Sequence, residues 1–164
     1  MCSSDLLRLA PGTDEIEVRG PNVFEGYWQR PDATAECLHD GWFATGDVGS
    51  LSADGYVRIV GRRKELIISG GYNVYPREVE DVLRSHPAVA DAAVVGLPHP
   101  EWGEQVVAAV EGPGTDADAE ALLELARAQL APYKRPKRIV FVPALPRNAL
   151  GKVVKADVLP LVGG

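Results

Sequence analysis

Apolar and polar residues alternate along the first part of the chain. Residues 15–19 (EIEVR) place an apolar side chain at every second position, which is typical of a half-buried strand. Residues 47–51 and 56–60 are two further predicted strands, and the turn-forming ADG between them indicates a hairpin. Residues 31–38 (PDATAECL) are predicted as a short helix with proline in its first turn. The chain up to about residue 64 is therefore predicted to be rich in β-structure.

Two glycines, Gly70 and Gly71, separate the β-rich runs LIIS and YNVY. Glycine accepts the positive φ angles that a tight two-residue turn requires, and other residues adopt them only at a cost. Residues 66–75 are therefore predicted to form a β-hairpin.

Two amphipathic helices and three strands are predicted after this hairpin. In residues 76–86 a mostly apolar face recurs with helical spacing, and residues 119–130 carry a second such face. The predicted strands are residues 92–95, 106–110 and 139–142, a surface loop is predicted at residues 111–118, and a short helix is predicted after Gly151. Together these elements predict a compact α+β module of about 100 residues.

The composition is that of a globular protein with an acidic balance. Of the 164 residues, 46% are hydrophobic and 24% are charged, which is enough apolar material for a core. The net charge of −6 argues against a broad nucleic-acid-binding surface but permits a local basic site. No apolar run approaches the roughly 20 residues that span a bilayer, and Cys2 and Cys37 form no disulfide framework. We therefore expect a cytoplasmic protein without a membrane span.

The N-terminal residues MCSSDL fit no element and match the translation of a common sequencing-adapter sequence. Residues 1–6 are therefore interpreted as an artefact, and the chain as a piece of a longer gene product. The small number of strands predicted before residue 64 supports this interpretation, because so short a segment would not close a good core alone.

Standard phosphate and metal motifs are absent from the sequence. A Walker A loop needs a glycine at position 146 and a serine or threonine at position 153, where the chain has Pro146 and Val153. No G-x-G-x-x-G follows a predicted strand, and the histidines have no partners at metal-ligand spacing. The sequence therefore predicts no metal site.

Four short motifs remain as candidates, and each has a structural alternative. TGD at residues 45–47 places a carboxylate where it can accept hydrogen bonds from ribose hydroxyls, although most such aspartates only form turns. GRRK at residues 61–64 is either a phosphate or ribose contact with a hinge, or a solvated charge run. SGG at residues 69–71 either lets a thin ligand pass close to the backbone or is simply a turn. PRNALGK at residues 146–152 presents one lysine, a compact charge suited to acyl or phosphoryl transfer.

In this order and spacing the motifs resemble the adenylate-forming superfamily of acyl-CoA synthetases, adenylation domains and luciferases. The resemblance covers about residues 11–159 and rests on four segments, which are VRGPNVFEGYWQRPDAT, DGWFATGD, DGYVRIVGRRKELIISGGYNVYPREVE and PRNALGK. It implies that residues 7–63 are the β-rich end of a large AMP-binding N-terminal domain. Residues 64–164 would be the small C-terminal domain, an α+β fold with a three-stranded sheet, helices and a β-hairpin.

The resemblance also implies roles for individual residues in the first part of the chain and at its boundary. Asp47 would bind the ribose of ATP or of the acyl-adenylate, and Arg62 would contact ribose or phosphate. Lys64 would lie at the hinge about which the small domain rotates over the large one.

In the second part, the resemblance implies that Lys152 is the catalytic lysine, which enters the site for adenylation and also contacts ATP. Gly70 and Gly71 would belong to the loop that lines the path of the CoA pantetheine arm after rotation.

The chemistry implied by the resemblance has two steps and requires ATP, CoA and Mg²⁺. A carboxylate attacks the α-phosphate of ATP, giving acyl-AMP and pyrophosphate, and the thiol of CoA then displaces AMP. The phosphate-binding loop, the acid pocket and the magnesium ligands are expected upstream, in a missing N-terminal domain that is this chain's partner. The fragment alone is therefore expected to be inactive.

The segments GGYNVYPREVE, VVGLPHPEWGE and FVPALPRNALGKVVK look most like malonyl-CoA synthetases, which act on malonate and methylmalonate. Three alternatives remain open. The protein could be a medium- or long-chain fatty acyl-CoA synthetase, an adenylation domain that loads a carrier protein, or a non-catalytic binding module.

Overall fold

The computed structural model describes residues 6–163, except for the side chains of residues 116 and 117. Ten strands lie in this range: β1 (Leu7–Leu9), β2 (Glu15–Val18), β3 (Leu38–His39), β4 (Trp42–Leu51), β5 (Val57–Arg62), β6 (Ile67–Ser69), β7 (Tyr72–Val74), β8 (Asp91–His99), β9 (Gly103–Glu111) and β10 (Arg138–Val142). The same range contains four α-helices: α1 (Pro31–Cys37), α2 (Pro76–Arg84), α3 (Asp116–Gln129) and α4 (Lys155–Val162). The chain divides into two compact units, Met1–Lys64 and Glu65–Gly164.

The first unit is built on one five-stranded sheet. The strands follow the order β1-β2-β4-β3, and β5 pairs with β4. The predicted strands at residues 15–19, 47–51 and 56–60 are present as β2, β4 and β5, but β4 begins at Trp42, five residues earlier than expected. The core of this sheet is small, and its buried apolar side chains are Ile16, Trp42 and Val48.

The second unit also contains a five-stranded sheet. Strand β9 pairs in parallel with β10 and antiparallel with β8, and its first residue, Gly103, pairs with Ser69 of β6. The predicted hairpin, β6 and β7, therefore joins the three-stranded part of the sheet instead of standing beside it. The α+β class is confirmed.

Both faces of this second sheet are buried. Successive residues of β8 and β9 point to opposite faces, as strand geometry requires. The first face packs against α2 and α3, and from these two strands it takes Ala92, Val94, Val106, Ala108 and Val110. The second face packs against α4, and from these strands it takes Ala93, Val95, Val107 and Ala109. Burial on both faces explains why these strands have almost continuous apolar sequences.

The helices follow the predicted periodicity but differ at their ends. The helix predicted at residues 76–86 is α2, which ends at Arg84 and buries Val79 and Leu83 completely. Helix α3 begins at Asp116, so the loop predicted at residues 111–118 is shorter than expected. A capping box explains the early start: the Thr115 hydroxyl accepts a hydrogen bond from the Asp118 amide, and the Asp118 carboxylate accepts one from the Thr115 amide. The Thr115 hydroxyl also donates to the Asp118 carboxylate at 2.7 Å, and this bond, together with the one from the Thr115 amide, lowers the pKa of Asp118.

The N-terminal segment interpreted as an artefact lies outside the described residues, except for Leu6. The Leu6 carbonyl accepts a hydrogen bond from the Arg19 amide at 3.0 Å, just before β1 pairs with β2. Within residues 6–163 no helix is long and apolar enough to cross a membrane.

Candidate functional site

The TGD motif lies on a bulge of β4. The register of β2 with β4 pairs Glu15 with Val48 and Glu17 with Ala44, so that residues 45–47 lie opposite Ile16 alone. Gly46 has a φ of +74°, a left-handed conformation that favours glycine. A bulge re-aims side chains and interrupts pairing, and it occurs here at the motif that the sequence singled out.

A buried carboxylate, Glu15, fixes this bulge. Its Oε1 accepts a hydrogen bond from the Gly46 amide at 2.9 Å, and its Oε2 accepts one from Nη1 of Arg63 at 2.6 Å. The Thr45 hydroxyl adds a bond to the Ile16 carbonyl at 2.8 Å. The sequence analysis treated Glu15 only as a polar position in a strand. Nothing in the local pattern distinguishes this glutamate from an exposed one, because its partners are 31 and 48 residues away in the chain.

Asp47 and Arg62 are cross-strand neighbours on β4 and β5. Nε of Arg62 lies 2.8 Å from Oδ1 of Asp47, and Nη1 of Arg62 donates to the Thr45 carbonyl at 3.4 Å. The structure thus brings together Asp47, predicted to bind the ribose of ATP, and Arg62, predicted to contact ribose or phosphate. An ionised carboxylate offers about four lone-pair sites, so this ion pair leaves acceptor capacity for hydroxyl donors.

The three cations at residues 62–64 have three different environments. Arg62 pairs with Asp47, Arg63 pairs with Glu15, and the Lys64 side chain has no carboxylate within 4 Å among residues 6–163. Lys64 is exposed in a short 3-10 turn, Arg63–Glu65, at the boundary of the two units. This stretch is therefore more than a uniform solvated charge run, and the assignment of Lys64 to a hinge stays a prediction.

Gly70 and Gly71 occupy the turn between β6 and β7 with φ angles of +58° and +81°. A Cβ at either position would meet no atom within 4 Å, so the space above both glycines is open. The Gly70 amide donates to the Trp102 carbonyl at 2.9 Å, which ties the turn to the start of β9. The two positive φ angles explain these glycines on their own, and the pantetheine role stays a prediction.

The PRNALGK segment forms a closed loop around the side chain of Asn148. Oδ1 of Asn148 accepts hydrogen bonds from the Leu150 and Lys152 amides, each at 3.0 Å. The backbone N–H of Asn148 in turn donates to the Lys152 carbonyl at 2.9 Å. Gly151 has a φ of +77°, which closes the turn. Lys152 is exposed at the end of this loop, and no described residue places a carboxylate within 4 Å of its Nζ.

Arg147, at the base of this loop, was missed by the sequence analysis. Its guanidinium donates to the Gly151 carbonyl at 3.1 Å and lies 2.6 Å from the Asp91 carboxylate. Burial of Asp91 alone would raise the pKa of its carboxyl, but the hydrogen bonds from Arg147 and Arg84 outweigh it and hold the pKa below its ordinary value. The same bond to Asp91 raises the pKa of Arg147. The sequence shows an arginine inside the loop motif, but nothing in it indicates that Asp91 is the partner of that arginine.

The described residues show no cluster of metal-ligating side chains. Across residues 6–163 no group of three or more His, Cys, Asp or Glu side chains is arranged to hold a metal ion. The location of the magnesium ligands upstream of this chain stays a prediction.

Comparison with known proteins identifies the domain that carries the Lys152 loop. Residues 78–152 match the family described as AMP-binding enzyme C-terminal domain. This part of the chain is therefore the C-terminal domain of an AMP-binding enzyme. This family match ends at Lys152 itself, the last residue of PRNALGK.

Comparison with curated relatives and solved structures extends the similarity to the first unit. The chain is 50% identical over 149 residues to 2-succinylbenzoate–CoA ligase of Geobacillus kaustophilus, covering 90% of this chain and 30% of the relative. It is 51% identical over 154 residues to indoleacetate–CoA ligase of Aromatoleum aromaticum, covering 93% and 30%. The crystal structure of ATP-bound MatB from Rhodopseudomonas palustris is similar with a TM-score of 0.80 and 45% identity, over 90% of this chain and 30% of that one. The chain thus spans about a third of the length of the relatives it matches.

Proposed function

We propose that the full-length protein containing this chain is an AMP-forming acid–CoA ligase. It joins a carboxylic acid to ATP, releasing pyrophosphate, and then transfers the acyl group from acyl-AMP to the thiol of CoA, releasing AMP. Identity of about one half to two CoA ligases, across both units of the chain, supports this reaction class.

The observation that carries the proposal is the presentation of Lys152. Its backbone is fixed by Asn148, while its exposed side chain has no carboxylate partner within 4 Å in the described part of the chain. When a carboxylate meets the α-phosphate of ATP, two anions approach each other, and a nearby cation offsets the repulsion. A lysine without an ion-pair partner can supply that charge without first breaking a salt bridge, and it needs no fixed bidentate geometry.

The other candidate residues are assigned to binding. The Asp47 carboxylate, held by Arg62 on the Gly46 bulge, accepts hydrogen bonds from ribose hydroxyls, and the Arg62 guanidinium also contacts ribose or phosphate. The open space above Gly70 and Gly71 admits the narrow pantetheine arm of CoA. Lys64 acts as the hinge residue, because a basic residue can exchange partners between two domain arrangements.

Magnesium, when bound through ligands upstream of this chain, would neutralise phosphate charge. The missing N-terminal part is the partner that supplies those ligands and the acid pocket. Within this chain, Lys152 and Arg62 are the cations assigned to the phosphate and ribose side of the site.

For the acid we propose malonate or methylmalonate. The support is the resemblance of three segments to malonyl-CoA synthetases and the similarity to MatB, a malonyl-CoA synthetase. The names of the two CoA ligases refer to different acids, 2-succinylbenzoate and indoleacetate. An assay of the acid must therefore include these and fatty acids beside malonate.

The test is pyrophosphate release by the full-length protein, with ATP and Mg²⁺ and with each of six acids. The acids are malonate, methylmalonate, acetate, octanoate, 2-succinylbenzoate and indoleacetate. Lys152→Ala is expected to lower release by about 10² to 10³-fold, the typical effect of removing one group that stabilises transition-state charge. Lys134→Ala is the matched control, because Lys134 belongs to the same unit but is paired with Glu78 at 2.7 Å. It is expected to leave release within about twofold of the wild type.

Each outcome of this assay bears on a different part of the proposal. Release with malonate that is lost in Lys152→Ala supports both the class and the acid. Release with another acid of the panel keeps the class and overturns the acid. Pyrophosphate release followed by thioester formation on a carrier protein, but not on CoA, overturns the proposed acceptor. No pyrophosphate release with any acid overturns the reaction class.

A further inference from the structure

We propose that Arg147, anchored on Asp91, is a positioning residue that places Lys152 for the adenylation step and has no part in the CoA step. This inference rests on the proposed function. It assigns to the loop arginine a role in only one of the two half-reactions, because the lysine that it positions is assigned to adenylation alone.

Arg147 contacts the chain on both sides of Lys152. Its backbone forms an antiparallel bridge with Val153, just after the lysine. Its Nη1 donates to the Gly151 carbonyl, just before the lysine, at 3.1 Å. Its Nη2 lies 2.6 Å from Oδ2 of Asp91 and 3.3 Å from Oε2 of Glu111. One side chain therefore connects the loop to the ends of β8 and β9.

Asp91 is itself fixed, so it provides a firm anchor. Its Oδ1 accepts bonds from Nε of Arg84 at 2.7 Å and from the Ala92 amide at 2.8 Å, which leaves Oδ2 facing Arg147. Arg84 also donates to the Ala92 carbonyl at 2.8 Å. The next residues of β8, Ala92 and Ala93, are buried in the two cores of the sheet. The guanidinium of Arg147 is thus tied to the start of a strand whose next residues are buried.

Glu111 closes the network from the other side. Its Oε2 accepts a bond from the Leu145 amide at 3.0 Å in addition to the contact with Arg147. Asp91 and Glu111 are cross-strand partners at the ends of β8 and β9. Because the guanidinium presents several donors in a fixed plane, it can reach these carboxylates and the Gly151 carbonyl together, which an ammonium group on a lysine stem cannot do.

The location of the Lys152 ammonium depends on this scaffold. Its Nζ forms no ion pair with a described carboxylate, so the position of the ammonium group depends on the position of the loop backbone. Asn148 forms hydrogen bonds within the loop, and Arg147 ties the loop to Asp91 and Glu111 of the sheet. A displacement of about 1 Å at a reacting group can cost about 10²-fold in rate. Loss of Arg147 should therefore slow the step that uses Lys152.

A purely structural role for Arg147 makes a different prediction. If the arginine only stabilised the fold, its loss would lower the amount of active protein and would reduce both half-reactions by the same factor. Its effect would also multiply with that of removing Lys152, since independent sites are additive in free energy. An arginine that acts through Lys152 has no further effect once the lysine is gone.

The experiment measures the two half-reactions separately in the full-length protein. Acyl-AMP formation is followed by pyrophosphate release without CoA. Thioester formation is followed by supplying CoA with chemically prepared acyl-AMP of the acid that the wild type activates best. Arg147→Ala is expected to lower the first rate by about 10- to 100-fold and to leave the second within about twofold.

Three further variants make the result specific. In the Lys152→Ala background, Arg147→Ala is expected to add no further loss. Arg77→Ala is the matched control, because it removes an arginine of the same unit whose nearest carboxylate contact is with exposed Asp81 at 3.8 Å. It is expected to leave both rates within about twofold. Arg147→Lys retains the charge but not the fork and is expected to lie between Arg147→Ala and the wild type in the first half-reaction.

The outcomes separate failure of this inference from failure of the proposed function. If the wild type forms no acyl-AMP with any acid of the panel, the proposed function falls and the inference falls with it. If the wild type forms acyl-AMP, equal losses in both half-reactions, multiplication with Lys152→Ala, or an unchanged first step in Arg147→Ala would each overturn the inference alone. If Arg147→Ala does not fold, the comparison uses Arg147→Lys. A larger loss in acyl-AMP formation than in thioester formation then supports the inference, and equal losses overturn it.

Discussion

Replacing Glu15 by alanine is expected to release the bulge that carries Asp47. The substitution removes the acceptor of the Gly46 amide at 2.9 Å and the partner of Arg63 at 2.6 Å. The Glu15 side chain is only 7% exposed, so water does not readily replace it as the partner of that amide. The bulge would then lose the contact that fixes it to the start of β2.

The size of the effect follows from the exposure of the two partners. A hydrogen bond to a charged group contributes about 1.5–3 kcal/mol, and this range applies to the bond from Gly46. The Arg63 side chain is 57% exposed, so its ion pair contributes under about 1 kcal/mol. The sum is about 1.5–4 kcal/mol, which corresponds to an increase in local opening of about 10- to 700-fold. Glu15→Gln, which retains one acceptor oxygen, is expected to cause a smaller increase.

The assay is amide hydrogen exchange at Gly46, compared with amides of β9 in the second unit as an internal standard. Glu17→Ala is the matched control: Glu17 lies on the same strand and pairs with Arg8 at 2.6 Å, but it makes no bond to the bulge. In the full-length enzyme, Glu15→Ala is also expected to weaken ATP binding, because Asp47 moves with the bulge. Unchanged exchange at Gly46 in Glu15→Ala, or an equal increase in Glu17→Ala, would refute the reasoning.

Two further predictions concern the second unit. Because the pKa of Asp91 is lowered in the folded state, its ion pairs stabilise the protein above the unfolded-state value near pH 4 and are lost as pH falls through the lowered value. The free energy of unfolding in urea should therefore be lower for Asp91→Asn than for the wild type by about 1–3 kcal/mol at pH 7. This difference should become smaller at pH 3, and a difference that does not change with pH would contradict the prediction. Gly71→Ala should cost about 1–2 kcal/mol through its φ of +81° alone, because its Cβ would meet nothing within 4 Å. Faster exchange of the Gly70 amide in Gly71→Ala than in Gly71→Asn, where asparagine tolerates this conformation, would confirm it, and equal exchange in the two variants would contradict it.

Element types could be predicted from the sequence where one face or both faces of an element are buried. Val79 and Leu83 of α2 recur at helical spacing, and β8 and β9 are runs of small apolar residues bounded by polar ones. Three features could not be predicted in this way. The early start of β4 depends on pairing with β3 and β2, the attachment of the hairpin depends on the pair Ser69–Gly103, and the start of α3 depends on the Thr115 cap. In each case the deciding partner is a particular residue in another segment or a cap that periodicity does not register.

The candidate site was predictable in the residues that a motif names and unpredictable in those that hold them. Asp47, Arg62, Gly70, Gly71 and Lys152 could be selected because their types and order match a family pattern. Glu15 and Arg147 could not, because each acts through partners that the sequence places 31 to 56 residues away. A glutamate in a strand and an arginine in a loop are ordinary residues until the fold shows which backbone groups they bind.

The distribution of ion pairs separates the candidate arginines from the candidate lysines. Arg62 and Arg63 are each paired with a carboxylate of the first unit, and Arg147 is paired with Asp91 and Glu111 of the second. Lys64 and Lys152 have no such partner among residues 6–163. A salt bridge at rest would oppose any step in which a cation changes its neighbours, since breaking it costs the energy that the pair contributed. Paired arginines beside unpaired lysines are therefore the arrangement that the proposed two-step reaction would use, and the half-reaction experiment on Arg147 tests it for the Lys152 loop.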